Sequence, residues 1–325
     1  MTKDTVLQAL WSHADRYLSG AELASLLSLS RTAVWKAVEQ LRADGYQIEA
    51  LPRKGYRLLS RSDVLSREGI RRYLRHDALQ VQVFQEISST NTVLKAMAEQ
   101  GAPAGLALVA GHQSAGRGRM GRSFYSPQDS GVYLSLLLRP TLPASQVTRV
   151  TACAAVAVAE TLEELSGRPL QIKWVNDLFL DGKKVCGILT EASLDCETGS
   201  VHHLVVGIGV NALAPERGFP EGLRDIAGAV FQERQLPELR CQIAAGIIDK
   251  LWDYQAALPE DRCFDAYRAR SLVLGREVEL LSPGRDPEPA RVLDLEPDYA
   301  LRVQLPDGTI RRCLSGEVRI RPLEG

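Results

Sequence analysis

The sequence predicts a multidomain α+β protein: a three-helix module closed by a β-hairpin, a mixed-sheet domain with long helices, and a small β-barrel. Three patterns predict it. Residues 1–60 read as helix, helix, helix, hairpin. Residues 79–270 alternate strands and helices but interrupt them with hairpins, which argues for a mixed sheet over a regular βαβ repeat. After Arg270, short strands follow one another closely between turn residues, the signature of a small barrel. These patterns set domains at 1–62, 63–270 and 271–325.

In the first part, Ser19 and Glu22 have capping-box spacing at the start of a helix running to Leu27. Ser28-Leu29-Ser30 is a turn, and Ser30 caps a third helix that stops near Gly45, a good C′ residue. Val34, Val38 and Leu41 share one face of that helix and leave Arg31, Thr32 and Lys36 on others. The hairpin pairs 46–51 with 56–58 through Pro52-Arg53-Lys54-Gly55, so cations sit at its tip. Ser60-Arg61-Ser62-Asp63 reads as a linker and 64–74 as a short connecting helix.

In the second part, 105–113 and 131–139 are strands, and 144–167 is a long helix stopped by Gly167 and Pro169. Residues 170–174 form a strand, 178–191 a hairpin turning at Asp181-Gly182, and 203–210 another strand. The third part offers strands at 278–281, 290–295, 301–304, 309–313 and 316–320. Turns such as Ser282-Pro283-Gly284 and Pro306-Asp307-Gly308 separate them.

Composition narrows the class. The chain has 325 residues, 45% hydrophobic and 24% charged, as in soluble globular proteins with sizeable cores. Net charge is -1, so any contact with nucleic acid must come from local basic patches. The six cysteines are scattered, with no C-x-x-C pair, which disfavours a zinc site or disulfide framework and fits a reducing cytoplasm. Met1 leads directly into Thr2-Lys3-Asp4, which does not read as a signal peptide. The apolar run 152–159 is too short to span a bilayer, so no membrane association is expected.

Two segments carry the chemistry. Gly116-Arg117-Gly118-Arg119-Met120-Gly121-Arg122 interleaves glycines with cations. Such a loop lets backbone approach a ligand while Arg117, Arg119 and Arg122 gather two anions that would otherwise repel. It is not a phosphate-binding G-x-x-x-x-G-K-[ST] loop, and no G-x-G-x-x-G follows a strand here. Lys173-Trp174-Val175-Asn176-Asp177 then puts a lysine, an amide and a carboxylate at a strand end. Lys184, at the edge of the apolar Val185-Cys186-Gly187-Ile188-Leu189, is a better ligand-facing cation than its neighbour Lys183. Together they suit nucleotide-dependent activation of a carboxylic acid. Gly207 and Gly209, before Asn211, mark either close backbone approach or tight helix packing. Ser88-Ser89-Thr90-Asn91 opens a helix, a position that both caps and can serve a polar ligand.

Five motifs stand in order: Ser89-Thr90-Asn91, Gln113-Ser114-Ala115-Gly116-Arg117-Gly118-Arg119, Lys173-Trp174-x-Asn176-Asp177, Lys184-x-x-Gly187-Ile188-Leu189 and Gly207-x-Gly209-x-Asn211. In that order and spacing the chain resembles the biotin–protein ligase family over essentially its full length. Leu29-Ser30-Arg31-Thr32-Ala33 and Lys54-Gly55-Tyr56-x-Leu58 resemble its bifunctional members, which also repress biotin operons. The resemblance implies an N-terminal winged helix-turn-helix, a catalytic domain like class II aminoacyl-tRNA synthetases, and an SH3-like C-terminal barrel. It implies that biotin and MgATP give biotinyl-5′-AMP and pyrophosphate, and that a lysine of biotin carboxyl carrier protein then attacks the anhydride.

By that resemblance, Ser89, Thr90, Asn91, Gln113, Gly116, Arg117 and Lys184 serve biotin. Arg119, Arg122, Lys173, Asn176, Asp177 and Asn211 serve the nucleotide. Lys184, Arg119 and Asp177 are the catalytic set, and Asp177 serves the nucleotide, Mg²⁺ through the phosphates, or the incoming lysine. The adenylate acts as corepressor: its bound form is a homodimer that sits on operator DNA through Ser30, Arg31, Thr32, Lys36, Arg53, Lys54 and Arg57. The chain departs from the family pattern at Val175, where proline is usual, at Met120, and at Phe124-Tyr125, where a tryptophan is common.

Overall fold

The computed structural model describes residues 2–13, 16–59, 63–195, 199–233, 236, 238–281, 286–314 and 316–320. Residues 60–62 of the expected 60–63 linker and the turn at 282–284 lie outside the described residues. The chain divides into two compact units: Met1–Tyr73 with Glu233–Gln242, and Leu74–Gln232 with Ile243–Gly325.

The first unit is a winged helix-turn-helix. Helices α1 (Thr2–Ser12), α2 (Gly20–Leu26) and α3 (Arg31–Ala43) precede the two-stranded wing β1 (Ile48–Leu51) and β2 (Gly55–Leu58). The predicted capping box is formed: Ser19 Oγ accepts from Glu22 N and the Glu22 carboxylate accepts from Ser19 N. Ser30 Oγ caps α3 by accepting from Ala33 N at 3.0 Å. Val34, Val38 and Leu41 are fully buried with Leu7, Leu10 and Leu23, so the helical stripe read from the sequence is the core face. Tyr46 does not begin the wing. Its backbone N–H closes the end of α3 on Leu41 O, its ring is buried, and its hydroxyl bonds Ser66 Oγ. The expected connecting helix is α4 (Arg67–Tyr73).

The second unit is built on a seven-stranded mixed sheet. Its elements are β3 (Gln80–Phe84), α5 (Thr90–Glu99), β4 (Leu106–Ala110), β5 (Val132–Leu138), α6 (Val147–Ser166), β6 (Gln171–Lys173), β7 (Asp177–Leu180), β8 (Lys183–Leu194) and β9 (Val201–Val210). The strand order is β3-β4-β5-β9-β8-β7-β6, parallel only between β3 and β4. Residues 144–146 form a 3-10 turn before α6 instead of its first turn, and Gly167 ends α6 in the left-handed conformation. Helix α5 packs on one sheet face through Leu94 and Ala98 against Leu106, Leu108, Leu137 and Val205. Paired residues of neighbouring strands share a face, so the registers Leu108↔Ser135, Ser135↔Gly207 and Gly207↔Leu189 carry that face across β9 to β8. The opposite face holds Thr190, whose hydroxyl meets Thr151 of α6 at 2.8 Å.

Helices α7 (Leu239–Ala256) and α8 (Phe264–Ala269) follow, then five strands: β10 (Glu277–Leu281), β11 (Glu288–Leu295), β12 (Leu301–Gln304), β13 (Ile310–Cys313) and β14 (Glu317–Ile320). These make an antiparallel sheet in the order β13-β12-β11-β10-β14 over a core of Val278, Ala290, Val292, Leu301, Val303 and Val318. Among the described residues, no helix is long and apolar enough to cross a membrane.

Candidate active site

The site lies on the α5 face of the large sheet. It is an open pocket whose space, including its mouth, is about 860 Å³. All but two of the small-molecule residues expected from the sequence line it: Ser89, Thr90, Asn91, Gln113, Arg117, Arg119, Arg122, Lys173, Asn176, Asp177 and Lys184. Gly116 and Asn211 are not among its lining residues. Gly116 is buried behind the loop, where a Cβ would stand 2.4 Å from Phe124 O and 2.7 Å from Ser126 Oγ. Asn211 follows β9, its backbone bonding Val185 and Val230.

One end of the pocket is neutral and finely bonded. Ser89 caps α5, accepting from Thr92 N at 3.5 Å. Gln113 Oε1 accepts from Thr90 N at 2.9 Å, and Gln113 Nε2 donates to Ser126 Oγ at 3.0 Å. Ser135, the one serine in the apolar strand β5, donates to Asn91 Oδ1 at 2.6 Å and lies 2.7 Å from Thr90 Oγ1. Asn91 Nδ2 donates to Leu189 O and Glu191. Gly207 leaves the room Asn91 needs, since a Cβ there would stand 2.0 Å from Asn91 Oδ1. At Gly209 the intruder is the Phe124 ring, 2.4 Å from the same construction. Both glycines therefore admit protein side chains, one of them from helix α5.

The other end is charged. Lys173 pairs with Asp177 across β6–β7, and Asp177 with Gly187 across β7–β8, so all three face the pocket side. A β-bulge then intervenes: Leu178 opposes Cys186, but Phe179 opposes Lys184. The unpaired Val185 shifts the alternation and turns Lys184 onto the same face as Asp177. Lys184 Nζ bonds Asp177 Oδ1 at 2.7 Å. Asn176 is buried, donating to Ile188 O and accepting from Arg119 at 2.7 Å. Burial pushes the Lys173 ammonium below the ordinary lysine value, while Asp177 and Glu317 pull it back up. The Trp174–Val175 peptide is cis.

The arginine loop is a tight hairpin. Gly118 N bonds Arg122 O, Phe124 N bonds Gly116 O, and Met120 and Gly121 at the tip take positive φ. Arg117 pairs with Glu191 at 3.2 Å. Arg119 also donates to Gly316 O, and Arg122 makes two bonds to Glu317, at 2.9 and 2.7 Å. Those bonds hold the Glu317 carboxyl below the usual range. Sequence reasoning missed Glu317, Ser135 and Glu191. Ser135 was visible as a lone polar residue in an apolar strand; Glu317 had no such signal. Among the described residues, no group of three or more His, Cys, Asp and Glu side chains is placed to hold a metal ion.

In the winged module, Ser30, Arg31, Thr32, Lys36, Arg53 and Lys54 are exposed. Arg57 is engaged within the protein: its guanidinium lies 4.8 Å from the Tyr17 ring centroid and donates to Glu49 at 2.9 Å.

The chain thus combines a cation-lined pocket on a mixed sheet with a winged helix-turn-helix. Residues 83–211 match the Biotin/lipoate A/B protein ligase family, and residues 2–57 match an HTH domain. The bifunctional ligase/repressor BirA of Bacillus subtilis (strain 168) is 41% identical over 226 residues, 69% of each chain. BirA of Escherichia coli (strain K12) is 30% identical over 321 residues, 94% of each chain. A solved biotin protein ligase from Aquifex aeolicus, in complex with biotin and ATP, matches with a TM-score of 0.61 at 29% identity. That match covers 74% of this chain and 98% of the other. The chain belongs to the biotin–protein ligase family, among relatives that are bifunctional ligase/repressors.

Proposed function

We propose that this chain is an ATP-dependent biotin–protein ligase and a repressor. It joins biotin and MgATP into biotinyl-5′-AMP, passes biotin to a lysine of biotin carboxyl carrier protein, and as an adenylate-bound homodimer represses biotin synthesis genes in the cytoplasm. The domains divide the work at 1–62, 63–270 and 271–325. The observation that carries the reading is the convergence of five separate sequence motifs on one pocket, with a neutral bonded end and a cationic end.

The neutral end suits biotin: Ser89, Thr90, Asn91 and Gln113 offer donors and acceptors, with Gly116 and Arg117 supporting the wall. The cationic end suits the nucleotide through Arg119, Arg122, Lys173, Asn176 and Asp177, with Asn211 behind the strand end. In the first step a carboxylate oxygen of biotin forms a bond to the α-phosphorus, and the bond to the pyrophosphate oxygen breaks. Lys184 stabilises the negative charge that builds where carboxylate and phosphate meet. Asp177 holds Lys184 in place and accepts from it. Arg119 bridges the loop to Asn176 and Gly316 and so closes over the adenylate. Magnesium arrives with the nucleotide: Asp177 is the one expected carboxylate, and a single carboxylate with substrate phosphates is a usual Mg²⁺ donor set.

The test is pyrophosphate release by the purified chain with MgATP and biotin, with and without carrier protein. A biotin-dependent burst followed by carrier-dependent turnover is expected, with biotin preferred to lipoate in competition. Lys184→Ala should slow the burst on the order of 10²-fold. Absence of any burst in the unmodified protein would overturn the ligase assignment, and undiminished bursts in the variant would remove Lys184 from the chemistry.

A further inference from the structure

Helix α3 carries more than cations on its outer side. Its inner side is Val34, Ala37, Val38 and Leu41, all buried. Its outer side presents Arg31, Thr32, Lys36 and Trp35, a residue 53% exposed. A single exposed apolar residue is ordinary. The surroundings of Trp35 are what distinguish it. Arg31 and Thr32 stand one turn before it and Glu39 one turn after, while Lys36 lies about 100° further round the exposed side, so the indole lies between the cations of one exposed stripe. No ion pair among the described residues engages Arg31 or Lys36. The one carboxylate of the helix, Glu39, is held by Arg42 at 2.9 Å. The stripe therefore offers positive charge with an apolar plate in its midst, and exposed Arg53 and Lys54 on the wing extend it.

We propose that Trp35 reads sequence: with α3 in the major groove of duplex DNA, its indole packs on a thymine C5-methyl. This rests on the reading of the N-terminal module as DNA-binding, and adds to it the base that is read. A duplex meets each element of the stripe. Phosphates answer Arg31, Lys36, Arg53 and Lys54 and give affinity without sequence. The indole has one donor and no acceptor, so it cannot make a bidentate bond to a base edge. Thymine is the one base that shows a methyl in the major groove, and an apolar side chain is what that methyl selects. A second copy of the chain is a poorer occupant, because a two-fold contact through this face would set Arg31 and Lys36 against themselves.

The experiment uses the full chain with biotin and MgATP. Duplexes retained from a random-sequence pool are sequenced, and the selected duplex is remade with deoxyuridine replacing thymine at each position in turn. Affinities are read by fluorescence anisotropy for the unmodified protein and for Trp35→Ala. Losing one methyl at one symmetric pair of positions should weaken the unmodified protein about fourfold per methyl, the worth of one buried CH₂. Trp35→Ala should bind the thymine and uracil forms equally while keeping the same salt dependence, because its phosphate contacts are intact. Unchanged helical circular dichroism and thermal midpoint establish that the variant is folded, and Trp35→Gln repeats the measurement if they change. If the variants keep the thymine preference, the proposal fails and the winged-helix reading survives. If they keep it but lose self-association, the indole belongs to a contact between copies, and the proposal fails again. If the unmodified protein retains no duplex at all, the DNA-binding reading itself falls.

Discussion

Replacing Gly207 by alanine tests the central packing argument of the pocket. A Gly→Ala change in a strand ordinarily stabilises by about 0.4–1 kcal/mol, by restricting the unfolded chain. Here the added methyl would stand 2.0 Å from Asn91 Oδ1 and 2.6 Å from Asn91 Cγ. Ordinary contact is farther out, so the amide must retreat by about 1.5 Å. Asn91 has little freedom to do so: it is buried, and is bonded at 2.6 Å to the buried Ser135 and at 3.1 Å to Leu189 O. Losing those two bonds costs about 1–1.5 kcal/mol each, and overpacking adds about 1–3 kcal/mol. Set against the generic gain, these terms leave Gly207→Ala destabilising by about 2–6 kcal/mol, opposite in sign to the generic effect. Urea unfolding followed by tryptophan fluorescence measures it, provided the slope with urea is unchanged. Asn91→Ala removes the obstructing amide, so the double variant should be no less stable than Asn91→Ala alone. Strictly additive losses, or a Gly207→Ala protein as stable as the parent, would refute the reasoning.

Two further predictions concern charge. Burial pushes the Glu238 carboxyl up to about 7, against the pull of Arg72 at 3.0 Å. Between the ordinary carboxylate value and about 7, the unfolded chain has lost this proton and the folded chain keeps it, so stability falls as pH rises through that window. Glu238→Gln should remove on the order of 2–3 kcal/mol of that fall, seen by comparing urea midpoints at pH 5 and pH 8; parallel curves for variant and parent would reject it. Arg122, though twice bonded to Glu317, has a side chain 62% exposed, so Arg122→Ala should cost less than about 1 kcal/mol. Glu317 titrates below its unfolded value, so even that contribution is lost as pH falls through its folded pKa. Thermal melts at neutral and acid pH check this, and an acid-resistant difference would contradict it.

Much of this molecule was legible in its residues because local rules and tertiary demands agree. Ser19 with Glu22, Ser30, and Gly167 end their helices as capping chemistry dictates. Hairpin turns fell where Asp181-Gly182 and Pro306-Asp307-Gly308 stand, and the strand edges shifted by only a few residues. The motif residues converge because helix start, hairpin loop, strand ends and strand interiors are all brought by topology to one sheet face. What escaped was long-range. Glu317 reaches Arg122 across 195 positions, and nothing near either residue announces the other. The tenants of Gly207 and Gly209 also could not be named, since a glycine records that space is needed without recording by what. Arg57 read as a free cation until Tyr17 and Glu49 were seen to hold it.

The bulge at Val185 changes what a motif's spacing means. In a regular strand, residues an odd number apart point to opposite faces, yet Lys184 and Gly187, three apart, line one pocket. The odd count is therefore a record of irregular backbone, written in one dimension. A chain with one residue fewer between this lysine and glycine could reach the same placement on a flat strand. Insertions and deletions here should be judged by parity as much as by length, and a lysine grafted onto an unbulged scaffold at the same spacing would face away from its carboxylate.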